Sequence, residues 1–558
     1  MGTYLNPGKQ SYQMAVNSEI FVDKTEMIRY LNTVINTQQR YVSVSRPRRF
    51  GKTMAADMIC AYYDREADSR ELFSKRKLAG NEQETCWDEY LGKFDVLRLV
   101  MTDFMEGSKS VQDMIDYLTE EAVDELREKY PDVKLGNRIN LRTVMNKIYS
   151  ATQRQFVIVI DEWDAIFRTW KGDLTGQTKY LDFLRDWIKD KPYIALAYMT
   201  GILPIKKYGK HSALNMFDEY SMVQPMRLAD YTGFTEVEVQ GLCKKYEMDY
   251  QDVSSWYDGY RITDYIPVGK RKDFRLGNYS EHKLCIYSPL SVVKAMQNGI
   301  VDNYWNKTES YEALAEYICM DYDNLKETIA LLMDGGRIKV SLKTYQNDMT
   351  TFHSKDDILA LLIHLGYLGY EGEETEGRIS SEYGEVFIPN KEILEEFKAS
   401  TESDEWAGIF EQFRKSQELL KATWERNEER VAELLEEAHN RAGNKTYHDE
   451  AALSYAVQLA YYAAQKYYTT ILELDSGKGY VDIAYLPSPK YPDKPALVVE
   501  LKYNKSAETA IAQIKRQEYP SRLEHYKGNI LLVGIDYDRD VSSTKAEFKH
   551  HTCIIEEA

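Results

Sequence analysis

The chain has 558 residues, more than one hydrophobic core sustains, and its length implies about three domains. Its 43% hydrophobic and 29% charged residues are those of an ordinary soluble protein. A net charge of −18 argues against a general nucleic-acid coat, because phosphate binding needs basic patches.

The charge is uneven along the chain. Residues 441–558 hold 15 Lys+Arg against 16 Asp+Glu, so the other 440 residues carry a net −17. The last segment is therefore the expected place for nucleic acid to approach. Apolar runs fall short of the roughly 18 residues a spanning helix needs, so no membrane association is expected. The first residues, MGTYLNPGKQSYQMAVNSEI, lack the charged-then-apolar pattern of a secretory signal. The six cysteines are scattered without CxxC spacing, which argues against a zinc site or a disulfide framework. A cytoplasmic protein is the expectation.

In chain order, RYVSVS (40–45) reads as a short strand and MAADMICAYYD (54–64) as a helix. FDVLRLVMTDF (94–104), QFVIVIDEWD (155–164) and YIALAYMTGI (193–202) read as further apolar strands. Strands separated by helices predict a parallel sheet buried on both faces, and residues 1–225 read as one α/β domain. Residues 226–395 read as a mostly helical accessory domain with short strands such as GRIKVSL and EVFIPN. Residues 396–440 are charge-rich and helix-favouring and read as a charged helical connector. Residues 441–558 read as a helix (449–467), three strands (469–475, 479–486, 496–502), a helix (506–524), a strand (529–536) and a late strand at TCIIEE. This is an α/β unit whose central strands are linked by hairpins.

Two motif sets carry chemistry. Arg46-Pro47-Arg48-Arg49-Phe50-Gly51-Lys52-Thr53 lies between the first strand and its helix, where backbone N–H groups cradle phosphate oxygens. The stretch Arg48, Arg49, Phe50, Gly51, Lys52, Thr53 and Met54 would wrap the phosphates. Lys52 would reach the β- and γ-phosphates and the Thr53 hydroxyl would coordinate Mg2+. Arg46 stands where the usual pattern has its first glycine. The apolar run Phe156–Ile160 leads into Asp161-Glu162, with Asp161 expected to hold Mg2+ through water and Glu162 to activate the attacking water. Thr200, at the end of the next strand, sits where the terminal phosphate of ATP could be sensed; a plain strand-end turn is the competing reading.

In the last segment Asp482 lies on GYVDIAYL and Glu500-Leu501-Lys502 ends ALVVELK. Strand periodicity puts Glu500 and Lys502 on one face, and the hairpin through PSPKYPDKP could bring Asp482 beside Glu500. Carboxylates are hard oxygen ligands suited to Mg2+, and Glu450 on the preceding helix could add a third. Lys502 would then position or deprotonate a hydrolytic water. The competing reading of Glu500 and Lys502 is a surface pair. Gln513, on the following helix, fits a glutamine often found after such a motif, and His448 next to Asp449 reads as a surface cap. Tyr480-Val481 precede Asp482, where such sites often carry a basic residue.

The RPRRFGKT loop, the upstream Phe21-Val22-Asp23-Lys24-Thr25, the VIDEWD strand and the TGILPIKK stretch resemble the bacterial AAA-ATPase-like family, whose members pair such a domain with a C-terminal PD-(D/E)XK nuclease-like domain. The resemblance covers 20–260 and 445–525. It implies an α/β fold: a P-loop NTPase domain with a parallel sheet, the mostly helical middle region, and a C-terminal restriction-endonuclease-like domain. It further implies ATP binding, and the two motif sets on one chain lead to the expectation of ATP and Mg2+ as cofactors and of ATP-regulated phosphodiester hydrolysis of nucleic acid. Asp23 and Lys24 either line the nucleotide pocket or form a surface turn. The rival function is a nucleotide-dependent switch with an inactive nuclease fold. A protein partner for the acidic helical middle and self-association complete the expectations.

Overall fold

A computed structural model describes residues 2–80, 86–136, 140–205, 214–267, 279–305, 311–320, 322, 324–347, 349–375, 378–442, 450–475, 480–516, 521–539 and 550–558. They fall into two compact units. One comprises Met1–Tyr317 with Lys339–Ser400, the other Ile318–Ile338 with Thr401–Ala558.

The first unit is built on a parallel sheet of β1 (Tyr41–Ser45), β2 (Asp95–Val100), β3 (Phe156–Asp161), β4 (Ile194–Gly201) and β5 (Asp218–Tyr220), in the order β2-β3-β4-β1-β5. Every residue of β1, β3 and β4 is buried, as expected of continuous apolar runs covered on both faces. Ala56, Ile59, Cys60 and Tyr63 of the helix Lys52–Tyr63 share a core with Val42, Val44, Val157, Val159 and Tyr198. The alternate residues Ile158, Ile160, Ala197 and Met199 are buried on the opposite face. The carboxyl ends of β1, β3 and β4 thus lie together, where open α/β sheets bind ligands.

One strand is shorter than the sequence suggests. β2 stops at Val100, and Met101–Met105 is helical. Met101 and Phe104 are buried while Thr102 and Asp103 are exposed, a three-residue spacing that suits a helix and not a strand.

Helices predominate between residues 226 and 395, which also hold two three-stranded sheets. One is β6 (Phe234–Thr235), β7 (Tyr260–Pro267) and β8 (Tyr279–Tyr287) in the order β6-β8-β7. The other is β9 (Ile338–Ser341), β10 (Gly369–Thr375) and β11 (Arg378–Phe387) in the order β10-β11-β9. The β7–β8 pairing has no counterpart in the sequence reading.

The second unit carries a mixed sheet of β12 (Tyr468–Asp475), β13 (Tyr480–Pro487), β14 (Ala496–Tyr503), β15 (Ile530–Tyr537) and β16 (His551–Glu557) in sequential order. Only the β14–β15 ladder is parallel, and the helix Ala507–Arg516 connects that pair. The expected helix 449–467 is an α-helix over Glu450–Ala460 followed by a 3-10 turn at Tyr462–Lys466. The expected helix 506–524 ends at Arg516, with a 3-10 turn at Ser521–Tyr526. Residues 396–440 include the helix Asp404–Trp424 and most of Glu428–Ala442. Leu419, Leu420, Val431, Leu434 and Leu435 from these helices share a core with Ile483, Leu501 and Val533 of the sheet. Their charges stay outside in pairs such as Arg430–Glu418 at 2.8 Å. Among the described residues, no helix is long and apolar enough to cross a membrane.

Candidate functional site

At the carboxyl edge of the parallel sheet, β1 passes through the 46–51 loop into the helix that begins at Lys52. Gly51, with φ +83°, takes the left-handed turn, and the space where a Cβ would stand is open. Arg49 also turns left-handed, at φ +68°, and donates to the Trp305 carbonyl at 3.2 Å. Arg48 is exposed at the mouth, and Phe50 is fully buried. The Lys52 ammonium reaches back across the loop to the Pro47 carbonyl at 2.8 Å. Burial lowers its pKa to about 8, while Asp164 and Asp161 pull it upward. Thr53 and Met54 are exposed on the first helical turn.

Arg46 does not face this loop's ligand side. Its guanidinium is fully buried and donates to the carbonyls of Ser45 and Tyr220, each at 2.8 Å, tying the loop to the end of β5. Burial lowers its pKa to about 10.

Asp161 closes β3, almost entirely buried, and burial raises its pKa against the pull of Thr53, Lys52 and Arg98. Arg98 of β2 stands 3.9 Å from Asp161 Oδ2 and 2.7 Å from Asp57 Oδ1. Glu162 adopts a left-handed φ of +52° and presents a half-exposed carboxylate. Thr200 lies in register with Val44 of β1, wholly buried, its hydroxyl without a hydrogen-bond partner among the described residues.

A cavity of about 610 Å³, within the size range of small-molecule sites, is lined by Lys52, Thr53 and Glu162 but not by Asp161 or Thr200. Arg48 to Ala55, Glu162 and Asp164 line it together with the apolar side chains of Ile20, Phe21, Val22, Phe234, Leu290 and Val293. A loop of this kind beside apolar side chains has the chemistry to take a polyphosphate joined to a flat apolar base. Lys24 also lines the cavity, its ammonium held by the Asp230 carbonyl and Glu238 Oε2, both at 2.6 Å. Asp23 instead caps a turn, accepting from the Thr25 and Lys77 N–H groups.

In the second unit, the β13–β14 ladder pairs Ile483 with Val499, which sets Asp482 beside Glu500. Asp482 is half-buried and its Oδ2 accepts the Leu501 N–H at 2.7 Å. Glu500 and Lys502 project from the face opposite Leu501, both nearly fully buried. Lys502 Nζ donates to Glu500 Oε1 and to the Leu501 carbonyl, each at 2.8 Å. Glu500 Oε2 has no hydrogen-bond partner among the described residues. Burial pushes the Glu500 carboxyl up to about 7, with Lys502 opposing and Asp482 adding to the rise. Asp482 and this orphaned oxygen are hard donors that suit Mg2+, which is commonly held by one or two carboxylates and waters. Among the described residues, no group of three His, Cys, Asp or Glu could hold a metal ion. The Glu450 side chain, His448 and Asp449 lie outside the described residues. Gln513 is half-buried on the helix Ala507–Arg516. Tyr480 is 62% exposed, so the residues before Asp482 offer an aromatic face where a base was looked for.

Residues 8–209 match the family described as "Predicted AAA-ATPase" (AAA-ATPase-like), and residues 451–547 match the PD-(D/E)XK nuclease superfamily. The chain joins an AAA-ATPase-like domain to a PD-(D/E)XK nuclease-like domain. No curated protein matches it. A solved structure titled as the Aeropyrum pernix ORC2 protein in ADPNP–ADP complexes aligns with 69% of this chain and 96% of its own. Its identity with this chain is 10% and the TM-score is 0.29.

Within the AAA-ATPase-like domain the sequence reading passed over three charged residues at the site. Asp164 is wholly buried and accepts the Ile202 and Leu203 N–H groups at 3.1 and 2.9 Å. Arg168 bonds Asp164 and Glu162, and Arg98 approaches Asp161. The i, i+4 spacing of Asp164 and Arg168 was the available signal. Leu290 and Val293 join the cavity lining only through the tertiary fold and gave none.

Proposed function

We propose that the AAA-ATPase-like domain binds and hydrolyses ATP with Mg2+, and that this cycle regulates Mg2+-dependent phosphodiester cleavage of nucleic acid at the nuclease-like domain. The observation that carries the reading is a buried Glu500 carboxylate, with one unsatisfied oxygen, beside both Asp482 and Lys502. An ordinary strand end would not bury such a group.

In the first domain Lys52 exchanges the Pro47 carbonyl for the β- and γ-phosphates, cradled by backbone N–H groups between Arg48 and Met54. Thr53 and Asp161 hold the metal, Glu162 orients the attacking water, and Thr200 reads the terminal phosphate. In the nuclease-like domain Asp482 and Glu500, with Glu450 as a third carboxylate, hold Mg2+. The metal supplies Lewis-acid polarisation of the phosphodiester and a more acidic bound water. Lys502 positions or deprotonates that water and offsets charge building on phosphorus. The domain division proposed is 1–225, 226–395, 396–440 and 441–558, with nucleic acid as the partner of the last and the cytoplasm as the compartment.

The test is incubation of the full chain with Mg2+ and single- and double-stranded DNA and RNA. Cleavage that disappears in Glu500→Ala and in Lys502→Ala supports the reading; undiminished cleavage in those variants removes it.

A second reading, a nucleotide-dependent switch with an inactive nuclease fold, is favoured by one feature. Lys502 occupies both Glu500 Oε1 and the Leu501 carbonyl, two of the oxygens a metal would use. Nucleotide binding with no cleavage of any substrate supports this alternative.

A further inference from the structure

Arg168 stands on the short helix Ala165–Thr169, just past the Asp161–Glu162 pair. Its side chain is only 13% exposed. Nη2 donates to Glu162 Oε2 at 3.3 Å, and Nε donates to Asp164 Oδ2 at 3.1 Å. Asp164 also accepts the N–H groups of Ile202 and Leu203, immediately after β4 and Thr200. One guanidinium therefore links the carboxylate that orients water to the turn that follows Thr200. Glu162 and Asp164 both line the cavity with Lys52, and the Arg168 charge is felt at Lys52.

The two bonds are unequal. Asp164 is fully buried and fixed by two backbone donors, so it is a permanent counter-charge. Glu162 is half-exposed, its bond is the longer, and it sits in a left-handed backbone conformation that non-glycine residues disfavour. Arg168 can release Glu162 without becoming an unpaired buried charge, which would be costly. A terminal phosphate carries more charge than a carboxylate and matches the planar guanidinium fork.

We propose, resting on the reading of this cavity as an ATP site, that Arg168 determines triphosphate specificity. It exchanges Glu162 for the terminal phosphate, freeing Glu162 to orient water only when that phosphate is present. A diphosphate leaves the Arg168–Glu162 pair closed.

The experiment is calorimetric binding of β,γ-imido-ATP and of ADP, each with Mg2+, to the full chain and its Arg168→Gln and Arg168→Lys variants. Both variants should bind the triphosphate analogue about tenfold more weakly, or ~1.4 kcal/mol, with ADP affinity within about twofold of the parent. Equal weakening for both nucleotides would mean a strut and overturn the assignment, as would no change for either. If Arg168→Gln does not fold, Arg168→Lys keeps a charge against Asp164 and gives the same ratio. A parent chain that binds neither nucleotide overturns the ATP reading itself; a parent that binds both, with an unchanged ratio in the variants, overturns only the role of Arg168.

Discussion

The Lys502 ammonium donates to Glu500 Oε1 across 2.8 Å, and both side chains are almost wholly withdrawn from solvent. Without that lysine the buried glutamate would lose its charged donor. With it, one oxygen remains open beside Asp482, so the pair is poised to be completed by a cation.

The first prediction concerns pH. Burial raises the Glu500 carboxyl to about 7, so the protonated form dominates below that value. Metal binding needs the carboxylate and must displace the proton. Mg2+ affinity should therefore fall as pH drops through about 7, approaching roughly tenfold per unit below it. Calorimetric titration at pH 6 and pH 8 checks this, with protons released at the lower pH. Equal affinity at both would contradict the geometry.

Lys52→Ala should lose ATP affinity about 100-fold, or ~2.7 kcal/mol, because the ammonium is the strongest single phosphate contact offered by the loop. The melting temperature should not fall with it. The buried charge it removes has its pKa lowered to about 8 by desolvation, so its loss relieves a cost. A large fall in melting temperature alongside the lost affinity would mean the residue is mainly structural.

Arg46→Gly restores the usual glycine pattern of a phosphate loop, yet it should harm this protein. The substitution deletes two bonds from a charged donor to the Ser45 and Tyr220 carbonyls and leaves a cavity beside β5. A loss of about 2–4 kcal/mol in denaturant unfolding is expected, tempered by removal of a desolvated charge. A gain in stability or in ATP affinity would show that the loop does not need this anchor.

Gly534→Ala should disturb the nuclease-like domain through packing alone. Gly534 pairs with Glu500 in the β14–β15 ladder, and a Cβ there would stand 2.7 Å from the Ala507 carbonyl and 2.9 Å from Ile511 Cγ1. The helix Ala507–Arg516 must move off the sheet, at a cost of about 1–3 kcal/mol. Thermal unfolding measures the loss; an unchanged profile would mean that this helix is not held by close approach.

The sheet of the first unit was legible because its strands are continuous apolar runs ending in chemistry-bearing residues, as in Val157–Asp161. The β13–β14 hairpin was legible from the Pro- and Lys-rich turn between GYVDIAYL and the apolar run ALVVELK. Met101–Met105 was misread as strand because a five-residue apolar-polar stretch fits either period until burial separates Met101 and Phe104 from their neighbours. The β7–β8 pairing was missed in a segment of mixed polarity whose partners are set by tertiary context. At the proposed nucleotide site, spacing alone singled out Lys52, Thr53, Asp161 and Glu162. Asp164 and Arg168 were passed over because their role depends on the turn after β4 folding back onto them.

Regulation of cleavage in one domain by the nucleotide state of the other can be read out in a single assay. Mg2+-dependent nucleic-acid cleavage would be followed with ATP, with ADP and without nucleotide, in the parent chain and in Lys52→Ala. The cleavage rate should differ between the ATP and nucleotide-free states of the parent and not in Lys52→Ala, whose residual cleavage still requires Glu500. Cleavage at one rate in all three states of the parent would contradict that regulation.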